Sequence, residues 1–433
     1  MHVLERLLDG VRSACQGFTD NRRTTKNLVY SMSDIGVAAF SLFFMQCESF
    51  LEFQRTLETD RRCSNAQTLF GIDKIPTDNH IRAMLDDTKP EALQPCFDDA
   101  INELSTHNGL DAFTRLDGRI LVALDGTEYF CSHKLHCAHC LTRKRGKDTT
   151  EYYHSMLCAT IVAPGHNHAV HLMPEFIDTA DGADKQDCER NAAKRWLTST
   201  KPSALTQHRP VFLGDALFAC QPIVEAVQAN DDADFIFICK PELNKTVFAF
   251  VGTAPVASCS RHQDKGIVHE FRWVTGVPLR KQDPVSVNWL EITITNKTGK
   301  ITYKNTFITS LDVNAAVVAD IAACGRSRWK IENESFNVLT NNGYNLEHNF
   351  GHGKKYLATM FACMNLLAFT FHEVCDSIED TWKQARLKAG KRTTFFTKLS
   401  TICEFGVFPS WASLIDSMIT SNLPPSLHAS ASP

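Results

Sequence analysis

Apolar and polar residues alternate with two different periods along this chain, and the change of period divides it. Up to about residue 115 the apolar positions recur at helical spacing. Residues 34–53, DIGVAAFSLFFMQCESFLEF, predict one long amphipathic or buried helix. In TLFGIDKIPTDNHIRAMLDD, two apolar pieces are joined across Gly71 and Pro76, and Thr77 is placed to cap a helix beginning at Asp78. The pair allows a helix-turn-helix that reads DNA, or two ordinary neighbours in a helical domain.

From Arg119 the period becomes that of strands. Residues 120–124, 155–162 and 168–173 predict three strands, and residues 187–198 a helix. A strand at Val211–Gly214, a helix at 222–229 and a strand at 234–239 follow. This order suits an α/β nuclease core. Between 240 and 312, GIVHEFRWVTGVPL, VSVNWLEITITN and ITYKNTFITSL alternate around turn signals at Asn296-Lys297 and Gly299-Lys300, predicting an antiparallel β insertion. Helical spacing resumes at Asn314 and persists to about Phe371. The remainder is expected to be helical, ending in a loose tail, SNLPPSLHASASP. The division is therefore a helical N-terminal region (1–115), a core (116–239 and 313–372), the β insertion (240–312) and a helical C-terminal region (373–433).

Composition changes this picture little. The 433 residues are 43% hydrophobic and 22% charged, with room for a sizeable core. The formal net charge of -4 gives no overall attraction to a polyanion, so local patches matter more. One is Lys134, Arg143, Lys144, Arg145 and Lys147; another is Lys383, Arg386, Lys388, Lys391, Arg392 and Lys398. Each is expected to face nucleic acid or plain solvent. The opening MHVLERLLDGVRSAC lacks an apolar signal core, and the 16 cysteines sit mostly in apolar context, as reduced cytosolic thiols do. The longest apolar run, residues 360–371, is short for a membrane span and contains Asn365, so a buried helix is expected.

Three acids carry the candidate chemistry. Asp125 (LVALDGTEYF) and Asp215 (VFLGDALFA) each close a short strand, whereas Glu332 (RSRWKIENESF) sits in a helical segment. Carboxylates from separate elements can hold two divalent ions about 3.5–4 Å apart, activating a hydroxyl and stabilising the leaving oxygen of a phosphodiester. Asp125 is placed to bridge the ions, with Asp215 and Glu332 on either side. Arg328 lies one helical turn before Glu332, on the same face. An ordinary salt bridge on an amphipathic helix gives the same spacing. The acids Asp187 and Glu189 read as helix N-terminal residues favoured by the dipole, or as second contacts to the acids or DNA.

Around Glu332 the chain resembles the cut-and-paste insertion-sequence transposases of the DDE class, the group that typically excises through DNA hairpins. The pattern of that family is Tyr, two residues, Arg, three residues, Glu, six residues, Lys. Arg328 and Glu332 match it; Gly325 stands at the Tyr position and Leu339 at the Lys position. LDGT and LGDALF fit the first and second aspartates, and the gap between Asp215 and Glu332 fits the β domain that this group carries. FGIDKIPTDNHIRAMLDD and GYNLEHNFGHGKKY resemble one branch of the family, and the resemblance spans nearly the whole chain.

The resemblance implies a ribonuclease-H-like α/β core using two Mg²⁺ or Mn²⁺ ions on Asp125, Asp215 and Glu332. It implies water attack at the element's ends, then attack of the freed 3′-hydroxyl on target DNA. The partners would be double-stranded DNA, as terminal inverted repeats and target, and a second copy of the chain in the DNA complex. The setting would be a bacterial or archaeal cytoplasm, at the nucleoid. Arg328, Lys330, Arg143, Lys144, Arg145, Lys354 and Lys355 are the expected DNA contacts. Lys330, Lys354 or Lys355 would replace the missing lysine and Tyr344 the missing tyrosine. The two departures bear on hairpin formation more than on cutting. The alternatives are a DNA-binding relative that has lost catalysis, and a hydrolase of RNA or small phosphoesters.

His136-Cys137-Ala138-His139-Cys140 adds a second constellation. Cys137 and Cys140 form a Cys-x-x-Cys knuckle, and His136 and His154 are the nearest suitable imidazoles for a structural Zn²⁺. The alternative is a pair of reduced cysteines in a polar loop. His348, His352 and the glycines of HNFGHGKK form either a phosphate-contacting turn or a loop between helices.

Overall fold

Residues 120–124 are all apolar, and all five are wholly buried. A strand covered on both faces reads as such a continuous run. This one is the start of β2 (Arg119–Ser132), the axis of the molecule. The computed structural model describes residues 2–22, 28–48, 60–146, 149–179, 187–230 and 232–421. Lys147, residues 49–53 of the expected long helix and the tail beyond Ser421 lie outside these.

β1 (Thr114–Arg115) pairs with the start of β2. β3 (Leu141–Arg145), β4 (Thr149–Val162), β5 (Val170–His171) and β6 (Glu175–Ile177) follow. β4 lies antiparallel to β2 along nearly its whole length. On the other side of β2, β7 (Val211–Gly214) runs parallel to it, and β8 (Asp234–Ile238) runs parallel to β7. The helix Glu189–Thr198 connects β6 to β7, and the helix Gln221–Gln228 connects β7 to β8.

The segment expected as a β insertion carries β9 (Ala257–Gln263), β10 (Ile267–Pro278), β11 (Ser286–Thr295) and β12 (Ile301–Thr309), all antiparallel. It does not stand apart. β12 pairs with β8 through Phe307 opposite Ile238, so one sheet runs β3-β4-β2-β7-β8-β12-β11-β10-β9. A short helix, Lys245–Val251, and the polar strand β9 also occupy this region, and neither was expected from its periodicity.

The helix Met32–Phe44 ends well short of residue 53, because Gln46 takes a left-handed conformation (φ 54°) that an α-helix cannot continue through. The helices Asp60–Phe70 and Asp78–Leu85 appear as expected, separated by Gly71 (φ 63°), with the Thr77 hydroxyl accepting from the His80 amide at 3.4 Å. The segment from Asn314 is less regular than expected. It runs as an α-helix (Val318–Arg326), a 3₁₀ turn (Ser327–Trp329), a π-helical stretch (Ile331–Phe336) and a short helix (Asn337–Asn341). It then leaves helical form, with Gly343 (φ 94°) and Asn345 (φ 50°) breaking the register, until the helix Leu357–Ile378.

That last helix is 22 residues long, and by length and composition alone it is long and apolar enough to cross a membrane. This corrects the expectation that no segment is. However, 89% of its most apolar window is buried inside the protein, as in a core helix. Phe371 meets Phe40 edge-on at 5.5 Å, and Phe361 meets Phe43 at 5.7 Å, joining it to the N-terminal helices. Asp86 closes its N-terminus by accepting from the backbone amides of Lys354, Lys355 and Leu357. The expected boundary at residue 372 falls inside this helix, and one contiguous apolar core joins both sides of it.

Candidate active site

Register alone brings two of the acids together. Ala123 on β2 lies opposite Leu213 on the parallel β7. Two residues further along each strand, Asp125 and Asp215 reach the same level and face. Here β7 ends, while β2 continues, paired with β4 through Asp125 opposite Cys158. The chain leaves β2 to one side as β4 and returns on the other as β7. Open sheets leave a binding crevice at the strand ends of such a switch point. The Asp215 carboxylate is oriented by its own turn, accepting from the Leu217 amide at 2.8 Å.

Glu332 reaches the same place from the π-helical stretch, a distortion often found at functional sites. Arg328 links it to the sheet. One guanidinium nitrogen is 2.7 Å from Asp125 Oδ2 and the other 2.7 Å from Glu332 Oε1. The third nitrogen, Nε, is buried without a partner. A fourth acid, Glu189, packs its carboxylate against Gly126, where any Cβ would collide with it. Sequence reading placed Glu189 at a helix start, and it does open the helix Glu189–Thr198, but it makes no capping bond. Its neighbour Asp187 accepts from Arg195 at 2.7 Å and is structural.

These charges act on Asp125. Its carboxyl is pushed up to about 7, chiefly by burial; Arg328 opposes the rise, and Glu332, Asp215 and Glu189 add to it. Burial and Asp215 also raise Glu189. Asp125, Glu332 and Asp215 all act on the Arg328 guanidinium. Their oxygens are of the hard kind that Mg²⁺ or Mn²⁺ prefers, but with Arg328 between them no three of these carboxylates come within 4.8 Å of one another. Beside them opens a groove of about 460 Å³, lined by Gly126, Glu128, Tyr153, Glu189, Arg190 and Leu217 among others.

The expected DNA contacts divide into exposed and occupied groups. Lys144, Arg145, Lys354 and Lys355 are exposed at the surface. Lys355 meets Asp87 at 2.6 Å, and Arg145 meets Glu151 at 3.2 Å. Lys330 departs from expectation: it is 5% exposed, with its ammonium 3.6 Å from Glu334. Arg143 is held by Glu128 and Glu151 and lies 4.5 Å from the Tyr153 ring centroid. Arg328 is taken up by the acids. In the second basic cluster, Arg386 and Arg392 turn inward to Asp376 and Glu373.

Tyr344 cannot stand in for the missing tyrosine. It is 2% exposed, and its hydroxyl contacts His372 at 2.6 Å and accepts from Arg392 at 2.8 Å. The two departures from the signature have a physical cause. A Cβ on Gly325 would stand 2.8 Å from Ile236 and 2.9 Å from Phe307, and Leu339 is wholly buried. Both positions face the core here. Gly325→Ala is therefore expected to cost about 1–3 kcal/mol through overpacking. Urea denaturation checks this, and an unchanged midpoint would show that the helix can shift away from the sheet.

Of the expected zinc ligands, Cys137, Cys140 and His154 come together, but His136 does not join them. It is exposed and stacks on Tyr152, ring centroids 4.5 Å apart. The fourth place is taken by His352, from the non-helical stretch after residue 341. Cys137 and Cys140 are both free thiols.

No protein-family model matches the chain. No curated protein matches it either.

Proposed function

We propose that this protein is a DDE-class DNA transposase with a ribonuclease-H-like core. The observation that carries the reading is that Asp125 and Asp215 stand level at the ends of two adjacent parallel strands, while Glu332, far away in sequence, is tied to Asp125 through Arg328. The strand order β4-β2-β7-β8, with β4 alone reversed, supports the core assignment. Asp125, Asp215 and Glu332 would hold the divalent ions once Arg328 yields its place between them, and Glu189 adds negative charge nearby. Bound there, Mg²⁺ would activate a water or 3′-hydroxyl and stabilise the departing oxygen.

The chain's own residues do the rest. Arg328 ties Glu332 to the sheet, so the helical acid keeps its place relative to Asp125. Asp125 retains a proton up to about pH 7 and releases it when cationic charge arrives. The exposed Lys144, Arg145, Lys354 and Lys355 supply charge for DNA phosphates. The substrates in this reading are the element's terminal inverted repeats and the target DNA, and two copies of the chain would join two ends.

The test incubates wild type and Asp215→Ala with Mg²⁺ and DNA carrying the inverted repeats that flank the gene. Nicking with a 3′-hydroxyl product is expected from wild type alone. Binding without cutting by both proteins would overturn the reading in favour of a DNA-binding relative that has lost catalysis. A hairpin product would show that Gly325 and Leu339 are compatible with hairpin formation.

A further inference from the structure

The cluster of Cys137, Cys140, His154 and His352 has the dimensions of a metal tetrahedron. The two sulfurs are 3.8 Å apart. His154 Nε2 lies 3.5 Å from Cys137 Sγ and 3.4 Å from Cys140 Sγ, and His352 Nε2 lies 3.5 Å from Cys140 Sγ. A zinc ion with bonds of about 2.3 Å to sulfur and 2.0–2.1 Å to nitrogen gives tetrahedral edges of about 3.8 Å and 3.5–3.6 Å. All four atoms lie within 4.8 Å of one another.

We propose that these four side chains bind a structural Zn²⁺ that staples the β2–β3 excursion to the chain that follows Glu332. Cys137 and Cys140 stand in the turn before β3, and His154 lies on β4 opposite Phe130 of β2. His352 belongs to the non-helical stretch after the helix Asn337–Asn341. The metal therefore joins the turn before β3, and β4 beside the strand that carries Asp125, to the chain downstream of Glu332. This inference does not depend on the nuclease reading.

The chemistry selects zinc. Two thiolates and two imidazoles favour a soft or borderline ion over Mg²⁺. Both thiols lose a proton to solvent on binding, and the two thiolates cancel the charge of the ion. A neutral group can then sit in this setting, where Cys140 and His154 are buried. Four protein ligands leave no open position, which marks a structural site. Aromatic rings collar it: Tyr129 stacks on His154 at 5.7 Å, and Phe130 lies 4.3 Å from His352. His352 Nδ1 is buried without a partner, so Nε2 and the ring contacts with Phe130 and His154 orient that side chain. The other compact cluster, His168, Glu373 and Asp376, already has Arg392 and Arg386 as its cations.

The test measures zinc in the tag-free full chain by elemental analysis after passage over a chelator. Wild type and His136→Ala are expected to keep one ion per chain. His352→Ala is expected to bind about 100-fold or more weakly and to lose it, beyond the loss typical of a supporting residue. Cobalt exchange provides a second readout that tolerates poor folding of the alanine variant. Wild type should give the intense visible bands of tetrahedral Co²⁺, and His352→Cys should add thiolate-to-cobalt charge-transfer intensity. Zinc-free wild type with no tetrahedral cobalt spectrum would overturn the proposal. So would zinc retained by His352→Ala and lost by His136→Ala.

Discussion

Asp125→Asn should abolish metal-dependent cleavage while making the metal-free protein more stable at pH 8. On the proposed reading, this carboxylate would help to hold the ions, and its loss would lower the cleavage rate by about 10³-fold or more, roughly 4 kcal/mol of transition-state stabilisation. The stability gain has the opposite sign for an electrostatic reason. Burial, with Glu332, Asp215 and Glu189 nearby, raises the folded-state carboxyl to about 7 against Arg328's pull, from an ordinary value of 3.8. The folded state therefore binds the proton more tightly than the unfolded chain does. Its contribution to stability is full below the unfolded value and is lost as pH rises towards 7. An amide removes that slope, for a gain on the order of 2–4 kcal/mol at pH 8. Urea denaturation across pH 5–8 reads it directly. A variant that loses cleavage but keeps the wild-type pH slope would place the strained charge elsewhere. In wild type, the same proton makes cleavage at low Mg²⁺ rise with pH up to about 7.

Arg392→Ala should be the most destabilising single change outside the acids. Glu373 is 2% exposed, Arg392 pairs with it, and His168 lies 2.8 Å away. Burial alone would raise this carboxyl, but Arg392 and His168 hold it well below the usual carboxylate range. Removing the guanidinium strands Glu373 beside Asp376 and takes a donor from Tyr344. Loss of one partner from a buried pair costs about 3–5 kcal/mol. The depressed carboxyl contributes stability that is present above its unfolded value and lost as pH falls through its folded one. The penalty in Arg392→Ala should therefore shrink in acid, where Glu373 protonates. Arg392→Met with Glu373→Gln should recover much of the loss, because no unpaired charge stays buried. A denaturation midpoint unmoved by Arg392→Ala would show that solvent reaches Glu373.

Local signals made much of the architecture legible before the structure. The apolar run at 120–124, the strand at Val211–Gly214 and the Thr77 cap each depend on a few neighbouring residues. The acids Asp125, Asp215 and Glu332 could be singled out because each ends or occupies a recognisable element. What escaped depends on distant parts of the chain. Glu189 reads as a helix-start acid or as a second contact to the acids, and spacing cannot choose between them; only the folded sheet sets Gly126 against its carboxylate. His352 lies far from the cysteines in sequence, whereas His136 adjoins them and points away. Glu334, four residues on, is a partner that spacing offers Lys330, but the burial of that lysine is not readable locally, and neither is the pairing of Tyr344 with the distant Arg392. The stretch after Asn314 follows helical spacing, but periodicity does not distinguish an α turn from a π turn.

The polarity that hid β9 from a reading of periodicity also protects the molecule. Because β12 covers the edge of β8, the open border of the sheet passes outward to β9. That strand is polar, and ASCSRHQ leaves most of its side chains exposed, Ser260, His262 and Gln263 among them. Such a border is a poor template for another chain's strand. Excising residues 240–312 would return the border to DFIFI, an apolar edge ready to pair, and the shortened chain would be prone to aggregate.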